Sequence, residues 1–260
     1  MLRQVIKNRK LIWNLAKNDF KAKYATSFLG TVWAVVLPLT NILVFWYVFQ
    51  MGLRNGDVNG LPFIVWYIPA FMSWTYFSEA FLGATNSIRE YSYLIKKVNF
   101  PVIVIPVVKV FSSFIIHVVF IFVIAVINAL YGIYPSVYYF QVIYYLFCLT
   151  VFLMALGWLF GALSVVIPDV ANVVNVIMQL GFWVSPIIWN PDSIVPKIRF
   201  VLMLNPLYYI CQGYRDSFIY SNWFWNNMGN TLYFWSFTLI VWMLGVYVFD
   251  KTKDRFADLV

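Results

Sequence analysis

Residues 87–101 read SIREYSYLIKKVNFP and form a short polar stretch between two long apolar runs. The stretch carries four charged side chains, at Arg89, Glu90, Lys96 and Lys97. A few polar residues would be enough to turn a chain between two membrane helices. Its aromatic and aliphatic residues recur at helical spacing beside two lysines, which predicts a short amphipathic helix at the membrane surface. We expect a protein outside the membrane to dock on this helix.

The composition is that of an integral membrane protein. Of the 260 residues, 63% are hydrophobic, 21% are aromatic and only 11% are charged, whereas soluble domains carry roughly 25% charged residues. Several nearly uncharged runs reach the ~18 residues needed to cross the hydrocarbon core as a helix. A spanning structure must satisfy its own backbone, and no alternating pattern favours strands. We therefore predict an all-α integral membrane protein.

The apolar runs predict six transmembrane helices. They cover residues 28–51, 61–86, 101–128, 136–167, 170–189 and 229–249. Residues 1–27 precede them as an amphipathic interfacial arm, in which seven basic residues and the single acid Asp19 flank an apolar stripe. Residues 250–260 form a polar tail. Between the fifth and sixth spans, proline-interrupted apolar pieces predict short re-entrant or interfacial helices that would act as an outer lid.

The distribution of basic residues predicts the orientation. Thirteen Lys and Arg residues lie in the arm, the polar stretch and the tail, and four lie in the opposite loops. The positive-inside rule therefore places both termini and the polar stretch in the cytoplasm. The net charge of +8 also raises the possibility of nucleic-acid binding. We set it aside because the basic residues flank apolar spans, which points to membrane lipid headgroups as their partners.

Three ionisable residues fall inside the predicted spans, at Glu79, Lys109 and His117. Glu79 and Lys109 would each lie roughly 12 Å deep on adjacent antiparallel helices, so we predict an intramembrane ion pair between them. A structural clasp is favoured over a proton relay, because one pair is not a chain of carriers. His117 has no second His or Cys at metal spacing, and we interpret it as a neutral helix contact.

Two spans carry polar and aromatic residues along one face. On the first span these are Trp33, Leu37, Asn41, Phe45 and Phe49; on the fifth they are Asn172, Asn175, Gln179, Trp183 and Pro186. Amides that face lipid would be poorly satisfied, so the fifth-span stripe should face protein or a wet cavity. Hydrogen bonding between helices explains these amides equally well. We predict that the two faces line a transport path, in which rings stack on sugars and amides meet hydroxyls.

The sequence contains no machinery for chemistry of its own. It has no Gly-rich phosphate loop, no catalytic triad, no HExxH motif and no Cys/His metal cluster. We therefore predict no catalytic or metal-binding residues and no cofactor bound by this chain. A membrane protein with a transport path and a cytoplasmic docking site, but with no energy source of its own, requires a partner protein that supplies energy by hydrolysis.

Several segments together resemble the membrane subunits of the polysaccharide and teichoic-acid exporters, a branch of the ABC transporters. They are YATSFLGTVWAVVLPL (24–39), LIKKVNFP (94–101), PDVANVVNVIMQLGFWVSPIIW (168–189), LNPLYY (204–209), YRDSF (214–218) and RFADLV (255–260). The resemblance covers nearly the whole chain. It departs before Asp169, where an arginine is expected.

The resemblance implies a homodimeric permease in the bacterial plasma (inner) membrane, with two cytoplasmic ABC ATPase subunits that bind ATP and Mg²⁺. It implies a lipid-linked cargo, an undecaprenyl-type lipid bearing O-antigen, capsule or wall teichoic acid. The helix that couples to the ATPase would comprise Tyr91, Ser92, Tyr93, Leu94, Ile95, Lys96, Lys97 and Val98. Candidates to meet the lipid pyrophosphate at the cytoplasmic entrance are Lys21, Lys23 and Arg89, by position and because cations bind such groups through charge-assisted bonds.

Three other functions remain as alternatives. The nearest is an ABC exporter subunit for small lipophilic compounds or drugs, which a path lined with aromatics and amides disfavours only weakly. A membrane-embedded enzyme for lipid-linked sugars is disfavoured by the missing catalytic residues. A passive channel or ion-coupled carrier is disfavoured by the isolated charges and the lack of internal repeats.

Overall fold

The structure is a computed structural model that describes residues 1–52, 57–97 and 100–259. Val98 of the predicted coupling helix lies outside the described residues, and so does the side chain of Lys97. The described residues form helices joined by turns and loops, with one isolated backbone bridge between Val58 and Leu61. The α-helices are α1 (Leu2–Lys7), α2 (Arg9–Ala22), α3 (Trp33–Trp46), α4 (Phe63–Glu90), α5 (Ser92–Lys97), α6 (Val104–Leu130), α7 (Gln141–Val166), α8 (Asp169–Val184), α9 (Pro196–Met203), α10 (Pro206–Arg215), α11 (Met228–Thr252) and α12 (Phe256–Leu259).

Four helical stretches of the described chain are long and apolar enough to cross a membrane. They are Gly30–Gln50, Val104–Leu130, Val137–Val166 and Phe224–Arg255. The first of these consists of α3 with a 3₁₀ turn before it and a π-helical turn after it. The four stretches correspond to the predicted first, third, fourth and sixth spans. The chain is therefore a multi-pass membrane protein.

Helix α4, which corresponds to the predicted second span, lies at the centre of the bundle. It packs against α6, α7 and α10, and its residues 63–74 are buried on all sides. Its 28 residues are long enough to cross a bilayer. It is not among the four most apolar stretches, because protein rather than lipid surrounds it and polar residues such as Ser73 and Thr85 can be buried in hydrogen bonds.

Helix α8 is shorter than the predicted fifth span. It has 16 residues and ends at Val184, five residues before the predicted end at Trp189. Ser185 is extended, with ψ of 147°, because the following Pro186 disfavours a helical conformation at the preceding residue. At about 1.5 Å per residue α8 is ~24 Å long, less than the thickness of a hydrocarbon core.

The segment between α8 and α11 contains the short helices predicted there. Asn205 caps α10 by accepting a hydrogen bond from the backbone N–H of Leu207, and proline occupies the first turn. Helix α9 has no buried residue, whereas α10 is buried against α4, α7 and α11. Of the two helices, α9 therefore lies at the surface, where the predicted outer lid would be. Helix α10 belongs to the core.

Arg215, the last residue of α10, is fully buried. Its guanidinium donates hydrogen bonds to the carbonyl oxygens of Trp66 (3.1 Å) and Ile187 (3.0 Å) and lies 3.5 Å from the ring centroid of Trp66. Trp66 belongs to α4 and Ile187 follows α8. The cation thus joins three segments at the end of the bundle opposite the N-terminal arm.

The C-terminal tail packs more closely than its polar sequence indicates. Phe256 is fully buried, and its ring meets that of Phe249 edge-on at 5.4 Å. Helix α12 contacts α5 and α7. The tail therefore supports the helix that the sequence predicts as the docking site.

Substitution of Gly213 tests how closely α10 packs against α7. A β-carbon at Gly213 would overlap the ring of Tyr145 on α7, whereas one at Gly229 would meet nothing within 4 Å. We expect Gly213→Ala to destabilise the protein by about 1–3 kcal/mol through overpacking. Gly229→Ala should leave stability unchanged or slightly higher. Thermal unfolding of the detergent-purified variants measures the difference, and equal midpoints would contradict the close approach of α10 and α7.

Candidate functional site

The predicted docking helix is present as α5. Helix α4 ends at Glu90, Tyr91 forms a one-residue break, and α5 follows. Tyr91 and Ile95, four residues apart, pack against the core, while Tyr93 is 55% exposed. Lys96 is also exposed. Helix α5 therefore has one face on the bundle and one face free for a partner.

A cluster of charged side chains fastens α5 to the rest of the chain. Lys109 of α6 lies 2.7 Å from Asp19 of α2 and 2.5 Å from Glu90. The hydroxyl of Tyr91 donates a hydrogen bond to the same Asp19 oxygen, Oδ1, at 2.9 Å. We call Asp19, Glu90, Tyr91 and Lys109 the arm cluster. It joins the arm, the break before α5 and the start of α6.

Within the arm cluster the Asp19–Lys109 pair is buried, whereas the side chain of Glu90 is 50% exposed. The side chains of Lys109 and Asp19 are 9% and 7% exposed. Burial by itself would raise the pKa of Asp19, but the hydrogen bond and positive charge of Lys109 and the hydrogen bond from Tyr91 outweigh it, so the pKa of Asp19 lies below its usual value. Burial, followed by the neighbouring Asp19 carboxylate, raises the pKa of Tyr91. Asp19 is therefore a carboxylate, and Tyr91 keeps its proton for donation.

The predicted ion pair between Glu79 and Lys109 is wrong. Lys109 binds Asp19 and Glu90, and Glu79 binds Lys23 at 2.7 Å. Lys109 is only five residues into α6, or about 8 Å, whereas Glu79 lies eleven residues before the end of α4, or about 16 Å. The two side chains are thus at different depths.

The Lys23–Glu79 pair borders a pocket between α3, α4 and α6. The pocket has a volume of about 370 Å³, and Glu79, Trp33 and His117 contribute to its lining. His117 is a helix contact, as predicted: its Nε2 lies 2.7 Å from the hydroxyl of Tyr214, and its ring stacks on that of Tyr76. Trp33 of the predicted path therefore faces this pocket.

The predicted polar stripe on α8 is exposed. Its exposed members are Asn172, Asn175, Gln179 and Trp183. Trp183 is 61% exposed, and Asn175 donates a hydrogen bond to its own helix, to the carbonyl of Ala171. Within the described part of the chain, these amides make no hydrogen bond to another helix. Hydrogen bonding between helices of one copy is therefore not the reason for the amides among the described residues.

The predicted faces of α3 and α8 meet at one end only. The ring of Phe45 lies 5.6 Å from that of Phe182 on α8, while Asn41 is exposed. Phe49 and Trp183 line a cleft of about 730 Å³ at the end opposite the arm. Asp57, Asn59, Asn190 and Ser193 add polar groups to its wall. Aromatic rings beside carboxylate and amide groups are suited to binding a polyhydroxylated molecule.

The three basic residues predicted at the entrance have different surroundings. Lys21 is exposed beside an apolar groove that Trp13 and Phe114 also line. Arg89 is half-buried. Lys23 is paired with Glu79, so an anionic ligand would have to compete with that carboxylate. Lys21 and Arg89 are therefore the better placed of the three.

The sequence did not reveal the role of Asp19. It is the single acid in a basic arm, and it is buried in the same helix face as Ile12 and Ala16. An acid within the apolar stripe of an amphipathic helix was the available signal, because a carboxylate there needs a buried cation. That cation, Lys109, is 90 residues away in the sequence.

Comparison with known proteins identifies the class. Residues 10–219 match the family described as ABC-2 type transporter. The match covers most of the chain, and the chain belongs to this family. Its membership confirms the resemblance that the sequence motifs indicated.

Three relatives carry the same description, O-antigen export system permease protein RfbA. One from Klebsiella pneumoniae is 27% identical over 250 residues, covering 95% of this chain and 93% of the relative. One from Myxococcus xanthus is 28% identical, covering 84% of both chains. A second Klebsiella pneumoniae protein is 26% identical, covering 95% and 93%.

The arm cluster makes a prediction about stability. Lys109→Met would leave the carboxylates of Asp19 and Glu90 together without a cation, and we expect a loss of about 3–5 kcal/mol. Lys253→Met makes the same change in an exposed ion pair with Asp250 and should cost less than about 1 kcal/mol. Thermal unfolding in detergent compares the two; similar losses would show that the cluster is not a buried ion pair.

Proposed function

We propose that this chain is the permease subunit of an ATP-driven exporter that moves lipid-linked O-antigen polysaccharide from the cytoplasm across the bacterial inner membrane. The observation that carries this proposal is the match to O-antigen export permeases over nearly the full length of both chains. Membership of the ABC-2 transporter family supports an ABC ATPase as its partner.

The transmembrane unit has six spans in this proposal. The four apolar stretches supply four, and α4 and α8 supply the others. Surrounding protein permits the lower hydropathy of α4, and the residues after Val184 extend the reach of α8. With six spans both termini share one side, and the excess of basic residues assigns that side to the cytoplasm. The buried α10 is the re-entrant helix, since it lies among the spans.

Two copies enclose the path. The exposed amides of α8 would be unsatisfied in lipid, so a second copy of this chain, or water held between the copies, must cover them. Asn41 of α3 is exposed as well. The aromatic cleft beside Trp183 lies at the outer end, where the polymer leaves. The undecaprenyl pyrophosphate binds Lys21 and Arg89 at the cytoplasmic end through charge-assisted hydrogen bonds. Lys23 joins them when it leaves its ion pair with Glu79.

Two copies of the cytoplasmic ATPase, with their ATP and Mg²⁺, dock on α5 and the arm. The free face of α5 supports this arrangement, because exposed Tyr93 and Lys96 provide an aromatic ring and a cation for the partner. Hydrolysis occurs in the ATPase, and this chain moves the cargo without catalysing a reaction.

A second candidate cargo is a small lipophilic compound. An apolar cavity of about 470 Å³ lies between α4, α7, α8 and α11, lined in part by Trp74, Phe81 and Phe237, and such a volume suits a drug-sized ligand. ATPase stimulation separates the two cargoes. A polymer exporter responds to lipid-linked polysaccharide and not to lipophilic compounds.

The docking assignment predicts the effect of Leu94→Asp. Leu94 is half-buried in α5, and a carboxylate there should prevent the ATPase from seating. We expect normal membrane insertion and loss of ATP-dependent export in proteoliposomes that contain this chain and its ABC ATPase partner. Normal export by the variant would refute docking at α5. Absence of export by the unaltered complex would refute the proposed function.

The path assignment predicts which positions contact water. A cysteine replacing Asn175 on α8 should react with a charged, membrane-impermeant thiol reagent, because the stripe lines a wet path. A cysteine replacing Ile240, 53% exposed at the middle of α11, should be protected by lipid. The native Cys148 and Cys211 are buried, so the unaltered protein is the blank. Equal labelling at both positions would contradict the path.

A further inference from the structure

We propose that Tyr91 is a positioning residue for energy coupling: its hydroxyl ties the ATPase-docking helix α5 to the arm through Asp19, so that α5, α2 and α6 move as one body. This inference rests on the proposed function, since it assigns a role in the cycle that the ATPase drives.

The position of Tyr91 in the backbone is the first observation. It is the one residue between α4 and α5, with φ of −96° and ψ of 19°, so the change in direction between the two helices occurs there. If nothing fixed this break, a movement of α5 caused by the ATPase would change only the angle between α4 and α5 and would not be passed on to the other helices. Helix α5 has only six residues, too few to be stable without support from other parts of the chain.

The hydrogen bonding of the break is the second observation. Tyr91 donates to Asp19, and its neighbour Glu90 binds Lys109. Lys109 also binds Asp19 through the same oxygen, Oδ1, that Tyr91 contacts. Tyr91 and the residue before it, Glu90, are therefore both bound to one cation–carboxylate pair, whose members lie on α2 and α6.

Burial makes this link stiff. The Lys109–Asp19 pair is almost inaccessible to water, and hydrogen bonds to charged groups are stronger and shorter in such surroundings. The other Asp19 oxygen, Oδ2, is buried with no hydrogen-bond partner within the described part of the chain. The contacts that Asp19 makes to α6 and to the break thus converge on one atom.

The ring and the hydroxyl of Tyr91 have separable roles. The Lys109 ammonium lies 5.3 Å from the centroid of the Tyr91 ring, a cation–π contact that phenylalanine preserves. Tyr91→Phe removes the bond to Asp19 and keeps the ring and both ion pairs. It therefore loosens the break while leaving the remainder of the cluster in place.

The experiment measures export and ATP hydrolysis in proteoliposomes that contain this chain and its ATPase. We expect Tyr91→Phe to lower the polymer exported per ATP hydrolysed several-fold, with ATPase binding and unfolding temperature close to those of the unaltered protein. Tyr247→Phe is the matched control, because Tyr247 on α11 is 63% exposed and its hydroxyl makes no hydrogen bond within the described residues. An unchanged ratio for Tyr91→Phe would overturn the proposal.

Asp19→Ala, which removes the acceptor of the Tyr91 hydroxyl, and the double variant Asp19→Ala/Tyr91→Phe provide a second test. If Tyr91 acts through Asp19, the double variant should be no worse than Asp19→Ala alone. If the double variant lowers the polymer exported per ATP hydrolysed by the product of the two single effects, Tyr91 acts in another way, for example by direct contact with the ATPase. That result would overturn the proposal.

A readout without transport separates this inference from the proposed function. Spin labels at Asn18 of α2 and Lys96 of α5, both exposed, report the distance between arm and docking helix in the purified permease. We expect a narrow distance distribution that broadens in Tyr91→Phe and stays narrow in Tyr247→Phe. The same narrow distribution in both variants would overturn the link, whether or not the complex exports polymer.

Discussion

The arrangement of the arm end depends on one buried cation. An ammonium at Lys109, close to the start of α6, cannot remain unpaired in surroundings that exclude water. Asp19 compensates it from α2, and Glu90 from the end of α4. Satisfying this cation therefore lays the arm along α6 and fixes the angle at which the chain leaves α4. The location of α5 follows from these two contacts.

The opposite end has a second buried cation with different partners. Arg215 is bound by two backbone carbonyls and a tryptophan ring, a geometry that suits the planar guanidinium. Helix α4 runs between the two cations and is enclosed by the helices around it. Helices α3 and α8 lie outside this fixed core and keep broad exposed faces. In the proposed exporter, the surfaces assigned to the path and to a second copy are therefore different from the surfaces that hold each copy together.

Periodicity and hydropathy predicted the helical class, the positions of all long helices and the helix at 92–97. They failed at one local signal and at two features that tertiary contacts decide. The end of α8 depends on Pro186, a local signal that the apolar run concealed. The partner of Lys109 could not be found from depth along two helices, because Asp19 reaches it from a third helix far away in the sequence. The burial of Phe256 was equally invisible, since the residues around it are polar.

Asp19 and Lys109 form one buried unit that holds the arm on α6. This coupling can be measured by a double-mutant cycle with Asp19→Asn and Lys109→Met, read as free energies of unfolding in detergent. We expect the two losses to be far from additive, with an interaction energy of about 2–3 kcal/mol. Losses that add to within about 0.5 kcal/mol would contradict this coupling, because they would mean that the two side chains contribute to stability independently.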